Sequence, residues 1–481
     1  MILHINHVPP GRAGLASGVV TTLLSLSEAG EIDPKLLGRL NVHLDWIQYK
    51  TNFREAVALR RATKADRTLP LVELAIDLRQ VQQDALRTAL AETLSAAAQG
   101  ASEAGKRVYL EQFVPLRSSI IWSFNRLYWQ HLGLWESASG RSYEKSLPGG
   151  QSDGHHPVAI GDSVADFWTL LRDLENQNQL PPELFVLEIG IGTGARAVLW
   201  LDRFRELDRE RGTDYYPRIR FLMADYAMAT LNRVAERLGP HRELASFLAV
   251  DALDPFKSLS FLRYKVLFIH LSNVYDNLPT DELVLRDGRY YAVEVRSYLP
   301  AAEVGRICET YKSPPAEFVR TVNRLLEVGP QQDGDPDRSL DFWKAIWGAL
   351  RLEERLVELE GLSEAVLPPG MRPSHIESLC NDAPTNIRFQ LSSGAVESFI
   401  NTIPLLHPRG YLQVQDIFVT QLTDYLNGFR GPGKLEGSIV NWVNGALLAE
   451  VGEQAGYDVH FAPFRYREGS RTSILYTTHR E

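Results

Sequence analysis

From residue 184 onward, short apolar runs alternate with stretches of helical spacing. Residues 184–189 form one such run, and residues 195–205 then repeat apolar side chains at Val198, Leu199, Leu201 and Phe204, which predicts a helix. Further strands are predicted at 219–224, 245–250 and 264–271, each set off by turn residues or helical spacing. After an interruption come a helix over 394–406 and a strand over 411–418. A helix over 438–455 and strands over 457–464 and 473–478 close the chain. Alternation of strand and helix demands a parallel sheet. The two closing strands, with only the polar turn 465–471 between them, predict an antiparallel hairpin at its end.

Before this region the pattern is helical over 34–132. It is clearest over 71–98, where Leu74, Leu78, Val81, Leu86, Leu90 and Leu94 recur at helix-like intervals. Residues 99–105 read as a connection and 118–132 as an aromatic helix, whose Trp122, Phe124, Tyr128 and Trp129 fit either a core or a cavity wall. Ser-Gly, Pro-Gly-Gly and Asp-Gly steps make 137–156 a long loop, placed so that it could close over a site, and 160–174 is a capped amphipathic helix. Residues 281–388 interrupt the alternation with a hairpin around Asp287-Gly288 and helices near 315–326 and 340–359. The expected organisation is a mostly helical region 1–150 for substrate cover or oligomerisation, an α/β unit from 151–280 and 389–481, and an insertion 281–388 over the site.

Composition narrows the function classes. The chain has 481 residues, 44% of them hydrophobic, enough for two or three compact units. A net charge of −9 with acids and bases interspersed offers no footprint for a phosphate backbone, so nucleic acid is not expected as a partner. Two distant cysteines, Cys308 and Cys380, argue against a disulfide framework and a cysteine zinc site. His4 and His7 lie three apart without a third ligand, so no metal is expected. No apolar run approaches the roughly 18 residues of a membrane span, and the start lacks a leader-like pattern. The expectation is a cytoplasmic enzyme, with a second copy of the chain an admissible partner.

The most telling segment is Glu188-Ile-Gly190-Ile-Gly192-Thr193-Gly194, where a strand passes into a helix through three glycines at alternate positions. Such a turn brings bare backbone against a nucleotide. Read as Gly190-x-Gly192-x-x-Ala195 it also satisfies the dinucleotide fingerprint, so an NAD(P)-dependent oxidoreductase stays open on the glycines alone. The acid two residues before the first glycine and the antiparallel ending resemble class I S-adenosylmethionine methyltransferases. That likeness implies an α/β Rossmann-like sheet, here with a helical N-terminal domain and a helical insertion. It also implies S-adenosyl-L-methionine as cofactor, with S-adenosyl-L-homocysteine as product.

Under that resemblance Asp225, with Tyr226 beside it, would hold the ribose hydroxyls; the competing reading is an N-cap for the helix from Ala227. Asp251 and Ala252 would hold the adenine amine and ring, with a turn-forming Asp as the alternative. Glu188 would orient the loop and, through solvent, the ligand's ammonium.

After the fourth strand comes Ser272-Asn273-Val-Tyr-Asp276-Asn-Leu278-Pro279, and a late Gly-Phe-Arg-Gly-Pro-Gly segment spans 428–433. Together with the glycine turn these resemble the MidA family of protein arginine methyltransferases, which includes mitochondrial complex I assembly factors. The likeness covers about half of the chain. Members carry Asn-Glu-x-x-Asp-Ala-Leu-Pro here, so Asp276, Leu278 and Pro279 agree while Ser272 and Asn273 replace the Asn-Glu pair. A guanidinium acceptor would want paired carboxylates, so the loss of that glutamate weakens the arginine reading. Asn273 could still contact the cofactor's methionine part. Asp276 is a candidate base or a turn cap, and the loop residues Tyr143-Glu144 and His155-His156 are candidate lid or base residues, with Tyr143 and His156 taken forward. The expected acceptor is a small molecule or a protein arginine. The rival reading is a non-catalytic cofactor-binding assembly protein.

Overall fold

The computed structural model describes residues 1–6, 8–47, 51–64, 67–99, 106–330, 335–381, 383–384, 386–428 and 430–480. The predicted α/β sheet is present with seven strands: β1 (Leu184–Ile189), β2 (Ile219–Asp225), β3 (Ala245–Ala249), β4 (Val266–Ser272), β5 (Leu406–Asp416), β6 (Tyr457–Pro463) and β7 (Ser473–His479). Their order is β6-β7-β5-β4-β1-β2-β3. β1 to β5 run parallel, and β7 is antiparallel to both β5 and β6. The sequence order reverses between β1 and β4, which makes their carboxyl ends the crevice where open α/β sheets bind ligands.

Both faces of this sheet are covered, which is why its strands read as near-continuous apolar runs. On one face Val186, Phe221 and Phe268 pack against Phe167 of helix Pro157–Asn176 and against Trp200 and Phe204 of α1 (Ala195–Arg211). On the other, Ile269, Leu271 and Val414 meet Phe399 of helix Ser393–Thr402 and Leu447 and Leu448 of helix Gly445–Gln454.

Residues 1–150 and the insertion come together in a second, ten-stranded sheet. Its main path runs Ile2–Asn6, Leu40–Asp45, Arg67–Asp77, Val57–Lys64, Arg351–Glu358, Arg289–Pro300, Glu282–Arg286 and Asn386–Gln390. The hairpin around Asp287-Gly288 lies beside the Asn386–Gln390 edge, pairing Arg286 with Arg289. The helical reading of 34–132, and with it of a mostly helical 1–150, needs correcting, since Ile2–Asn6, Leu40–Asp45, Val57–Lys64 and Arg67–Asp77 are strands, and so does that of 340–359. Residues 71–98 divide into strand Arg67–Asp77 and helix Gln83–Gln99, because a spacing of four, as from Leu74 to Leu78, keeps one face of a strand as well as of a helix. Residues 340–359 likewise divide into helix Pro336–Ala349 and strand Arg351–Glu358. That strand's charges, among them Glu354, turn inward to ion pairs instead of marking a solvated helix face. Helix Ala301–Tyr311 was not foreseen, and the expected helix over 438–455 is shorter, Gly445–Gln454, preceded by short strands. The 99–105 connection, apart from Gln99, and His7 lie outside the described residues.

Among the described residues no helix is long and apolar enough to cross a membrane, and no group of three or more His, Cys, Asp or Glu is placed to hold a metal ion. His4 instead stacks on His43, ring centroids 4.5 Å apart.

Candidate functional site

The three glycines leave β1 with positive φ: 76° at Gly190, 53° at Gly192 and 73° at Gly194. Two of them are fixed by close packing, since a Cβ on Gly190 would lie 2.5 Å from Val274 and one on Gly194 2.6 Å from Val234. Gly192 differs: a Cβ there meets nothing within 4 Å. It therefore offers bare backbone to open space at the carboxyl end of β1, where an incoming ligand can approach closely.

Glu188, one turn before, is buried and its Oε2 accepts a 2.9 Å hydrogen bond from Arg196 Nη1 of α1, itself buried. Burial raises the Glu188 carboxyl and lowers the Arg196 guanidinium, and their mutual attraction opposes both shifts. The pair ties strand to helix across the turn. Arg196 was not singled out from sequence, although an arginine in the first turn after three glycines, where the helix dipole disfavours cations, was a signal that a buried partner waited for it.

At the end of β2, Asp225 accepts the Ala227 N–H at 2.9 Å in a local turn, but the helix that follows, Met228–Arg237, has Ala227 as its N-cap residue and no side-chain cap bond, so Asp225 does not cap it. The same carboxyl, raised by burial, is opposed by the N–H groups of Ala227, Gly192 and Tyr226, which places it directly beside the glycine turn. Tyr226 is 37% exposed, and its hydroxyl accepts from Gln130 of helix Ile121–Gln130. Asp251 is exposed and makes the turn, its Oδ1 accepting from Leu253 N–H at 3.0 Å; Ala252 next to it is half-buried. The ends of β1, β2 and β3 thus present their acids along one rim.

The 137–156 loop lies over this rim. Asn273, at φ 53°, donates from Nδ2 to Ser152 Oγ at 3.1 Å, and the loop passes so close that a Cβ on Gly154 would stand 2.7 Å from Ser272 Oγ. Glu144 is held below the usual carboxylate range by His155, with Thr193 of the glycine turn also hydrogen-bonded to it. Tyr143 is buried against Trp129, 4.9 Å between rings, and its hydroxyl, raised by burial, sits near Asp276, Ser438 and Asn277. His156 is the N-cap residue of helix Pro157–Asn176 and packs on Phe464 and Tyr466, while its neighbour His155 pairs with Glu144. Trp122, Phe124 and Tyr128 belong to the core.

Asp276, after β4, is buried, and its Oδ1 accepts from Asn277 Nδ2 at 2.6 Å. Its carboxyl is pushed well above the usual range by burial and then by the charge of Asp416, the last residue of β5. Asp416 is fully buried, accepts the N–H groups of Tyr275 (2.9 Å), Asp276 (3.2 Å) and Ile417 (2.8 Å), and is pushed up by burial to about 7. Two buried carboxyls thus lie at adjacent strand ends, and the charge of Asp416 disfavours ionisation of Asp276. Asp416 was missed from sequence, where it falls inside the strand read over 411–418 with no motif to mark it.

No family model and no curated protein matches the sequence. Among solved structures, the chain is similar to a methyl transferase candidate from Burkholderia thailandensis bound to S-adenosyl-homocysteine, with 13% identity, TM-score 0.44, and coverage of 80% of this chain and 90% of that one. It is also similar to the DszA carbon methyltransferase, with 10% identity, TM-score 0.32, and coverage of 84% and 72%. These TM-scores are too low to carry an assignment. The strand order and the site geometry have to carry it.

Proposed function

We propose that this chain is an S-adenosylmethionine-dependent methyltransferase acting on a small molecule or a protein side chain. The carrying observation is the open face of Gly192 at the β1/β4 switch point of a sheet whose β7 is inserted antiparallel between β5 and β6. The antiparallel insertion is what argues against the nicotinamide alternative.

The residues fit the cofactor. Gly192 leaves room for it, Asp225 stands beside that turn to accept from ribose hydroxyls, and Asp251 with Ala252 lies on the next strand end for the adenine. A bound S-adenosylmethionine supplies a methyl group on a positively charged sulfur, open to in-line attack. The chain's share is to align the acceptor and keep water out, the work of the loop that holds Asn273 and Thr193 from above. Asp276, with Asp416 behind it, is placed to take a proton from an acceptor that carries one.

Calorimetry with S-adenosylhomocysteine, and with NAD as control, tests the reading. The native chain is expected to bind the sulfur nucleoside. Gly192→Val should abolish that binding, because it places carbons where the ligand lies and strains a backbone at φ 53°. Asp225→Ala should weaken it about 10- to 150-fold, the worth of a hydrogen bond to a charged acceptor. Binding of NAD but not of the sulfur nucleoside would overturn the proposal.

A further inference from the structure

The inner face of the ten-stranded sheet is charged, which is unusual for a surface that is covered. Glu73 on strand Arg67–Asp77 forms an ion pair with Arg286 on strand Glu282–Arg286, although three strands lie between them in the sheet order. The sheet must therefore curl until its two halves face one another. The concave side holds a partly open cavity of about 110 Å³, lined in addition by Tyr425, Leu426 and Arg430. That is room for several waters or a small ligand, since a single water needs only about 10–15 Å³ on this scale.

Five guanidinium groups line this cavity, from Arg54, Arg60, Arg286, Arg388 and Arg430. The lining carboxylates are three, Asp45, Glu73 and Glu282, and Glu354 behind them makes a fourth by bridging Arg54, Arg60 and Arg388. Burial alone would raise Glu354, but those three arginines outweigh it and hold it well below the usual range, so it is ionised. Arg60 is pressed down by burial only to about 10 and stays protonated at neutral pH. Among the described lining and bridging residues the balance is positive.

The decisive feature is where the donors go. Arg60 is 4% exposed; its Nε reaches Glu354 at 2.5 Å and its Nη1 lies 3.6 Å from Glu73, yet Nη2 has no hydrogen-bond partner among the described residues. Arg286 is 8% exposed, pairs with Glu73 through Nη2, and leaves Nη1 without a partner among the described residues. Both residues line the cavity. A buried guanidinium N–H without an acceptor is costly. Two of them on the wall of one positively biased cavity define a receptor for an acceptor-rich anion.

We propose that this cavity binds a small oxyanion, a phosphate or a carboxylate, through Arg60 and Arg286, at a site separate from the glycine turn. Its wall reaches the other site through hydrogen bonds: Gln390 donates to Asn441 Oδ1 at 3.1 Å, and Asn441 N–H donates to the Asp276 carbonyl at 2.9 Å. An oxyanion held here would sit on the acceptor side of the molecule, behind the Asp276 turn.

The test is calorimetric titration of the full chain with sodium phosphate and, separately, sodium succinate, against sodium chloride at matched ionic strength. Saturable one-to-one binding of either oxyanion is expected, and which of the two binds assigns phosphate or carboxylate as the ligand class. Arg286→Lys keeps the charge but loses the planar fork, and should weaken that binding at least tenfold; Arg60→Lys should do the same. If both variants fail to fold, the titration of the native chain decides alone. Absence of saturable binding by both anions, or affinity unchanged in folded Arg286→Lys, would overturn the proposal and leave the cavity to water. Because the readout involves no sulfur nucleoside, its outcome is independent of the methyltransferase reading.

Discussion

Replacing Glu188 by alanine is expected to destabilise the chain by about 3–5 kcal/mol, the usual result of leaving a buried charge without its partner. Arg196 is 3% exposed, its described hydrogen bond is to Glu188, and it lies over the ring of Phe268 at 6.0 Å, so solvent has little access to compensate. Replacing both members with apolar residues of similar volume, Glu188→Leu with Arg196→Met, should restore most of the loss, because well-packed apolar side chains replace buried ion pairs with little or no penalty. Chemical denaturation measures both. A single variant within about 1 kcal/mol of the native chain would mean that the pair is hydrated and loose.

The second large effect concerns turnover. Asp276→Asn preserves shape and the contact with Asn277 but removes charge and basicity, so methyl transfer to a protonated acceptor should slow by about 10²- to 10⁴-fold. Affinity for S-adenosylhomocysteine should stay as it was. Native turnover should rise with pH only above the usual carboxylate range, because burial and the charge of Asp416 hold the proton on Asp276. Stability should move the opposite way. A carboxyl whose folded pKa lies above its unfolded value contributes its full stability below the unfolded value, near 4, and loses it as pH rises through about 7. In Asp276→Asn the rise in turnover and the fall in melting temperature should both flatten. Full turnover in the folded variant would remove Asp276 from the chemistry.

The α/β sheet was legible from sequence because its strands are buried on both faces and its glycine turn is contiguous. Periodicity and a local motif suffice for such elements. The ten-stranded sheet was not, because its strands carry arginine and glutamate inward, as at Arg60, Glu354 and Arg388, and charge read along a chain suggests solvent. The site divided in the same way. Asp225, Asp251 and Asn273 follow strands already recognised. Arg196 and Asp416 gain meaning only from partners brought by the fold, one through Glu188 and the other through the backbone after β4. Two adjacent histidines look equivalent in sequence, and the fold separates them by packing His156 on Phe464 and Tyr466 and pairing His155 with Glu144.

The joint sheet also constrains the order in which the chain can be completed. Strand Val57–Lys64 takes its second neighbour from Arg351–Glu358, and Thr63 donates to the Leu356 carbonyl across 293 residues of sequence. During synthesis the amino-terminal strands emerge first, and one side of Val57–Lys64 stays without its final partner until the chain has passed position 358. Long-range closure of this kind is slow, and an open strand edge is a template for wrong pairing. The glycine-turn unit, whose first four strands fall within 184–272, can begin to assemble while that edge is still waiting.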